Sequence, residues 1–196
     1  MMSKRILIIQ GHPDASARHL NHALADAYSQ GALSAGHEIH MITVSELDFP
    51  MLRSQQDWEH GEVPPALKPA QEDILWAEHL VLFFPLWLGE MPAMLKAFLE
   101  QVARPGFAFK YADNNPFGIK GLTGRSARIV VTMGMPSLVY KWFFRAHSLK
   151  ALKRNILGFI GIAPIRQTVI GMVGNLQPAD AEKLVRQLRK LGEGGL

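Results

Sequence analysis

The sequence predicts a doubly wound α/β fold, a parallel sheet with helices on both faces. Three observations predict it. Short, nearly continuous apolar runs recur along the chain, as strands buried on both faces require. Between them lie segments with apolar residues at i, i+3 and i+4, the spacing of amphipathic helices. The two kinds of segment alternate, which is the pattern of parallel strands joined by helical crossovers. The 196 residues, 48% hydrophobic and 19% charged, suit one domain, 1–196, with a sizeable core.

Each element has its own justification. Lys4–Gln10 (KRILIIQ) reads as a strand buried on both faces. A loop, Gly11–Ala17, leads into a helix over about Arg18–Ala35, with apolar positions Leu20, Ala23, Leu24, Ala27 and Tyr28. Ser16 is a candidate N-cap and Gly36 a candidate stop. Glu38–Val44 reads as a second strand. Asp48–Pro65, polar and with three prolines, reads as a surface excursion. A helix is expected over Lys68–Glu78, a third strand over Leu80–Phe84 and a helix over Pro92–Ala103. Arg128–Met133 and Ile165–Ile170 read as the fourth and fifth strands. Leu138–Leu157 reads as an aromatic-rich amphipathic helix. Pro178–Leu191 reads as a closing helix with Pro at a favoured first-turn position. Five strands in ~190 residues suit the flavodoxin-like order 2-1-3-4-5 better than a six-stranded dinucleotide fold. Ligands of such sheets sit at the carboxyl ends of the strands, near the switch in strand order. The loops that matter are therefore Gly11–Ala17, Pro85–Pro92 and Thr132–Tyr140.

Composition removes several function classes. There is no Cys, so disulfides, thiolate metal sites and cysteine nucleophiles are excluded. No apolar run reaches the ~18 residues of a membrane span. Met1–Ile6 runs straight into a strand pattern without a cleavable leader, so a cytoplasmic location is expected. Charge is uneven. Asn114–Ala179 contains nine Lys/Arg and no Asp or Glu, so the net +4 is the difference between +9 there and −5 elsewhere. A basic half favours anionic ligands or partners, but the basic residues form no nucleic-acid motif, and none is expected to bind.

The loops carry the functional signal. The first has a single Gly, so neither GxGxxG nor a Walker loop is present. It still opens a helix, whose N-terminal N–H groups suit a phosphate. His12, Ser16 and Arg18 would add donors, unless Ser16 is only a cap and His12 only a loop histidine. In the second loop, Phe84–Pro92, an apolar strand runs into Pro and Trp. Either it packs a flat aromatic ligand or it is a tight turn under a helix. The third, Thr132–Tyr140, has small residues that allow close backbone approach, and no GxSxG. His19 and His22 lie at i, i+3 beside His12, but they read as ordinary helix-surface residues, and no metal site is expected.

Taken together, Gly11-His12-Pro13 with Ser16 and Asn21, Phe84-Pro85-Leu86-Trp87 through Pro92-Ala93-Met94-Leu95-Lys96, Gly106–Tyr111 and Thr132-Met133-Gly134 resemble the NAD(P)H:quinone oxidoreductase family. This family consists of flavoproteins with a flavodoxin-like fold. It includes quinone reductases and ancillary subunits of potassium efflux systems, and the resemblance spans about Arg5–Leu191. It implies non-covalent FAD or FMN, with NAD(P)H delivering hydride and a quinone-like acceptor removing it in ping-pong fashion. It implies that His12, Ser16, Asn21 and, less directly, Arg18 hold the phosphate end. Pro85, Leu86, Trp87 and Leu88 would pack against the isoalloxazine and bond its edge through backbone groups, and Thr132, Met133 and Gly134 would flank the pyrimidine ring. A homodimer is implied, with Phe109 and Tyr111 reaching across. Tyr140 falls at the position of a charge-stabilising tyrosine. His147 falls one residue beyond that of its partner histidine. The basic, aromatic run Lys141–Arg154 supports an alternative: a flavin-bound ancillary subunit touching a membrane or transporter.

Overall fold

The computed structural model describes residues 3–112 and 115–196. Its strands are β1 (Arg5–Gln10), β2 (Glu38–Thr43), β3 (His79–Pro85), β4 (Phe109–Ala112), β5 (Asn115–Lys120), β6 (Ser126–Thr132) and β7 (Ile165–Ile170). Its helices are α1 (Leu20–Ser34), α2 (Gln55–His60), α3 (Lys68–Trp76), α4 (Ala93–Val102), α5 (Ser137–Trp142), α6 (His147–Ala151) and α7 (Pro178–Glu193). Five strands form one parallel sheet in the order β2-β1-β3-β6-β7. Strands β4 and β5 form a separate antiparallel hairpin, so the fourth and fifth strands read from the sequence are β6 and β7.

Alternation within the strands builds two cores. In β1, Leu7 and Ile9 face one side and Ile6 and Ile8 the other. In β3, Leu80, Leu82 and Phe84 oppose Val81 and Phe83. The first set packs under α3 and α4, through Ile74, Leu95, Phe98 and Val102. The second packs under α1 and α7, through Leu24, Tyr28 and Leu188. Both faces of the central strands are therefore dry, which is why their sequences read as unbroken apolar runs. Helices α1 and α7 approach closely: a Cβ built on Gly31 would lie 2.0 Å from the Arg189 carbonyl, and one on Gly192 2.0 Å from the Tyr28 carbonyl.

Two expectations need correction, and one element was not foreseen. Helix α1 starts at Leu20 with His19 as N-cap, not near Arg18 under Ser16. Ser16 lies too far ahead of Leu20 to cap the helix, and its backbone N–H and hydroxyl both turn back to Asp14. The helix expected over Leu138–Leu157 is broken. Arg145 and Ala146 adopt φ of 51° and 48°, which separates α5 from α6. The β4/β5 hairpin was not legible, because Gly106, Gly118 and Gly121 punctuate that segment like a loop.

Candidate functional site

The strand order reverses direction between β1 and β3, and the loops that follow β1, β3 and β6 converge there. Hydrogen bonds lock them together. Gly11 N–H donates to the Phe83 carbonyl at 2.7 Å and Leu86 N–H to the Thr132 carbonyl at 2.7 Å. Asn21 Nδ2, on the first turn of α1, donates to Thr132 Oγ1 at 2.8 Å. Both side chains are buried. The Asn21 Oδ1 atom is left without a partner, as is Nε2 of the buried Gln10. Gln10 Oε1 accepts the His12 N–H at 3.0 Å. Buried polar groups are normally paired, so two orphans flanking the first loop, one at the end of β1 and one on the first turn of α1, point to a polar ligand.

The first loop is built on imidazoles and one carboxylate. The His12 ring is buried and stacks on His19 with centroids 4.0 Å apart; it meets His22 at 5.3 Å and the Trp87 edge at 6.0 Å. His19 and His22 are thus part of the cluster, not free surface residues. Their i, i+3 spacing next to His12 was the available signal. His22 Nδ1 accepts the His19 N–H at 3.0 Å. Burial pushes the His12 and His22 pKa values down, and the neighbouring His19 adds to that in both cases. Hydrogen bonds from Ser16 and then His19 hold the Asp14 carboxyl well below the usual carboxylate range. Arg18 is mostly exposed and pairs with Asp26. A 370 Å³ cavity beside this loop is lined by Gln10, Ser16, Arg18, His22, Thr43 and Ser45, among others. Among the described residues, no three His, Cys, Asp or Glu side chains are arranged to hold a metal ion.

The second loop is a tight turn. Trp87 N–H donates to the Glu90 carbonyl and Glu90 N–H to the Trp87 carbonyl, both at 2.9 Å. The two central residues, Leu88 and Gly89, have φ of 47° and 81°. Gly89 tolerates this freely, whereas for Leu88 it stores roughly 1–2 kcal/mol. Leu88 projects fully into solvent and Trp87 is half exposed. Pro85 has no N–H, and those of Leu86 and Trp87 are engaged within the chain. Backbone donation from this stretch therefore falls to Leu88 and Gly89, which narrows the expectation for Pro85–Leu88. In the third loop Thr132 and Met133 are buried. The Met133 side chain belongs to the core and its N–H and carbonyl are bonded to Ile170 and Val173, which leaves the exposed Gly134 to face outward.

The remaining expected residues lie on α5, α6 and β4. Tyr140 is buried, and its hydroxyl accepts the Leu149 N–H at 3.3 Å, tying α5 to α6. Burial pushes its pKa up. His147 is exposed at the first residue of α6, just after the left-handed pair. Phe109 is 3% exposed and packs on Phe159 at 4.8 Å, with Trp58 and Tyr111 also in contact. Its ring is thus packed among aromatic residues of its own chain. With Trp58 and Phe159 it walls a 550 Å³ cavity next to α4, whose lining includes no residue of the three strand-end loops. Tyr111 is 64% exposed. Leu138, Val139, Trp142, Phe143 and Phe144 form an exposed apolar run interleaved with Lys141 and Arg145. No described helix is long and apolar enough to cross a membrane.

Known proteins resemble this chain in sequence and in fold. The chain is 27% identical over 169 residues to an "Uncharacterized NAD(P)H oxidoreductase" of Haemophilus influenzae, covering 84% of this chain and 82% of that protein. It is 27% identical over 211 residues to an FMN-dependent NADH:quinone oxidoreductase of Nitratidesulfovibrio vulgaris, covering 95% and 97%. Among solved structures, an NAD(P)H:quinone oxidoreductase from Methanothermobacter marburgensis superposes with a TM-score of 0.80 at 20% identity, over 98% of this chain and 97% of that one. An FMN-dependent NADH-azoreductase from Bacillus anthracis, in complex with FMN, gives 0.73 at 20% identity over 98% of both chains. The structural likeness is one of fold. Residues 4–193 match the model of the family described as Flavodoxin-like fold, and the chain belongs to that family.

Proposed function

We propose that the chain holds FMN along the carboxyl edge of its sheet and uses it to carry hydride from NAD(P)H to a quinone-type acceptor. It is a flavoprotein oxidoreductase, in keeping with the relatives named FMN-dependent NADH:quinone oxidoreductase and NAD(P)H oxidoreductase. One observation carries the reading: three strand-end loops are bonded to one another, two buried polar side chains there, Gln10 and Asn21, keep an unpartnered atom, and a half-exposed Trp87 meets the His12 ring.

The residues present fit such a group. The α1 N-terminus with His12, Ser16 and Asn21 offers donors to a phosphate, with Arg18 at the rim. The orphan Asn21 Oδ1 accepts a hydroxyl. Trp87 offers a flat apolar contact, and the N–H groups of Leu88, Gly89 and Gly134 bond a ring edge. Bound flavin would supply hydride acceptance and release, one flat substrate leaving before the next arrives. Backbone N–H groups stabilise negative charge that develops at the ring edge, because they are fixed before reaction. Tyr140 positions α6 through Leu149 and keeps its own O–H proton to donate.

A homodimer would complete the site. The aromatic cavity walled by Phe109, Trp58 and Phe159 contains none of the strand-end residues. In a dimer it would meet a flavin held by the second copy, with the exposed Tyr111 standing against Phe109.

The test is a spectrum. Purified protein loaded with FMN should be bleached anaerobically by NAD(P)H and recoloured by a quinone. Apo-protein that neither binds FMN nor turns over would sink the reading. In stopped flow, Tyr140→Phe is expected to slow flavin reduction roughly three- to thirtyfold, with little loss of flavin affinity. His147→Ala is expected to stay within about twofold, since the left-handed break places that ring in solvent.

A further inference from the structure

We infer that Asp14 is an internal anion that occupies the phosphate seat of the first loop and thereby sets how tightly a phosphate-bearing flavin binds. This rests on the flavin reading above and goes beyond it by naming a residue that opposes binding. Asp14 Oδ1 accepts the Ser16 N–H at 2.8 Å and the Ser16 hydroxyl at 2.6 Å. Its Oδ2 lies 2.7 Å from His19 Nε2. Three donors of one loop thus converge on one carboxylate, as they would on a phosphate ester.

An independent observation comes from the cavity that adjoins this cluster through Ser16, although Asp14 and His19 themselves do not line it. Gln10 is 2% exposed, its Nε2 has no partner, and it lines the 370 Å³ cavity together with Ser16, Arg18 and His22. The carboxylate satisfies Ser16 and His19 but leaves this donor unmet.

Two anions cannot share these donors cheaply, since like charges in contact repel. The Asp14 side chain is 37% exposed, so it can turn out to solvent when a phosphate arrives. Flavin phosphate then gains the Ser16 and His19 donors only by displacing a carboxylate that already holds them. The net affinity is the difference between the two. Riboflavin, which has no phosphate, leaves Asp14 in place and is indifferent to it. The ratio of FMN to riboflavin affinity therefore reads the competition directly.

The experiment uses flavin fluorescence quenching on apo-protein, with FMN and riboflavin titrated into wild type and Asp14→Asn. The Asn keeps an acceptor for Ser16 but no charge. The expected result is an FMN Kd roughly five- to fiftyfold lower in the variant, with the riboflavin Kd within about twofold. FMN binding that is unchanged or weaker in a folded Asp14→Asn protein overturns the inference. Asp14→Ala gives a second route if the Asn variant misfolds. Inorganic phosphate should raise its melting temperature more than that of wild type, and equal shifts overturn the inference. Failure of FMN and riboflavin to bind wild type and variant alike would overturn the flavin reading itself, while the phosphate comparison would still judge Asp14.

Discussion

Gly31→Ala is expected to destabilise the fold by about 2–4 kcal/mol, the largest stability effect among the changes considered. Two effects oppose one another. In an isolated helix, Gly to Ala stabilises by about 0.8–1 kcal/mol. Here the new methyl would lie 2.0 Å from the Arg189 backbone carbonyl, and backbone does not rotate away as a long side chain does. Helices α1 and α7 would have to part, and that opens the core around Tyr28, Leu24 and Leu188. The clash wins. For a chain of this size the melting temperature should fall by roughly 5–15 °C, read by far-UV circular dichroism. Gln30→Ala, one position earlier and exposed, serves as the control and should change stability by no more than about 0.5 kcal/mol. A Gly31→Ala protein as stable as wild type would mean that the two helices do not meet this closely.

The second large effect concerns binding. Asn21→Leu is expected to weaken FMN binding by roughly ten- to a hundredfold, or ~1.4–2.7 kcal/mol. Asn21 does two things at once. Its amide donates to Thr132 Oγ1 and joins the first turn of α1 to the third loop, and its buried Oδ1 has no partner within the chain. Leu fills similar volume but removes both. The substitution also leaves a buried hydroxyl at Thr132 without its donor, so some stability is lost as well. Thr132→Val separates the two contributions: it deletes the link but keeps the Asn21 oxygen. If the oxygen contacts the flavin, Thr132→Val should cost less affinity than Asn21→Leu. Equal losses would assign the whole effect to the link between loops, and no loss in Asn21→Leu would remove Asn21 from the site. Equilibrium titration of flavin fluorescence measures all three.

The sequence by itself determined the layout. Strands buried on both faces must be almost wholly apolar, so Arg5–Gln10 and His79–Pro85 announced themselves. Helices covering a sheet need an apolar stripe, so α1, α4 and α7 were legible within a few residues. Alternation then implied a parallel sheet, and a parallel sheet implied which loops hold the ligand. Only the tertiary structure decided how donors are shared within those loops. Whether Ser16 caps a helix, meets a ligand or bonds Asp14 depends on backbone turns of a few residues, which no periodicity records. That His12, His19 and His22 gather into one stack depends on a helix starting at Leu20 rather than Arg18, a shift below the resolution of pattern reading. The break at Arg145–Ala146 was hidden for a related reason: left-handed φ values at non-glycine residues carry no sequence signature and persist only because the surrounding packing outweighs their cost.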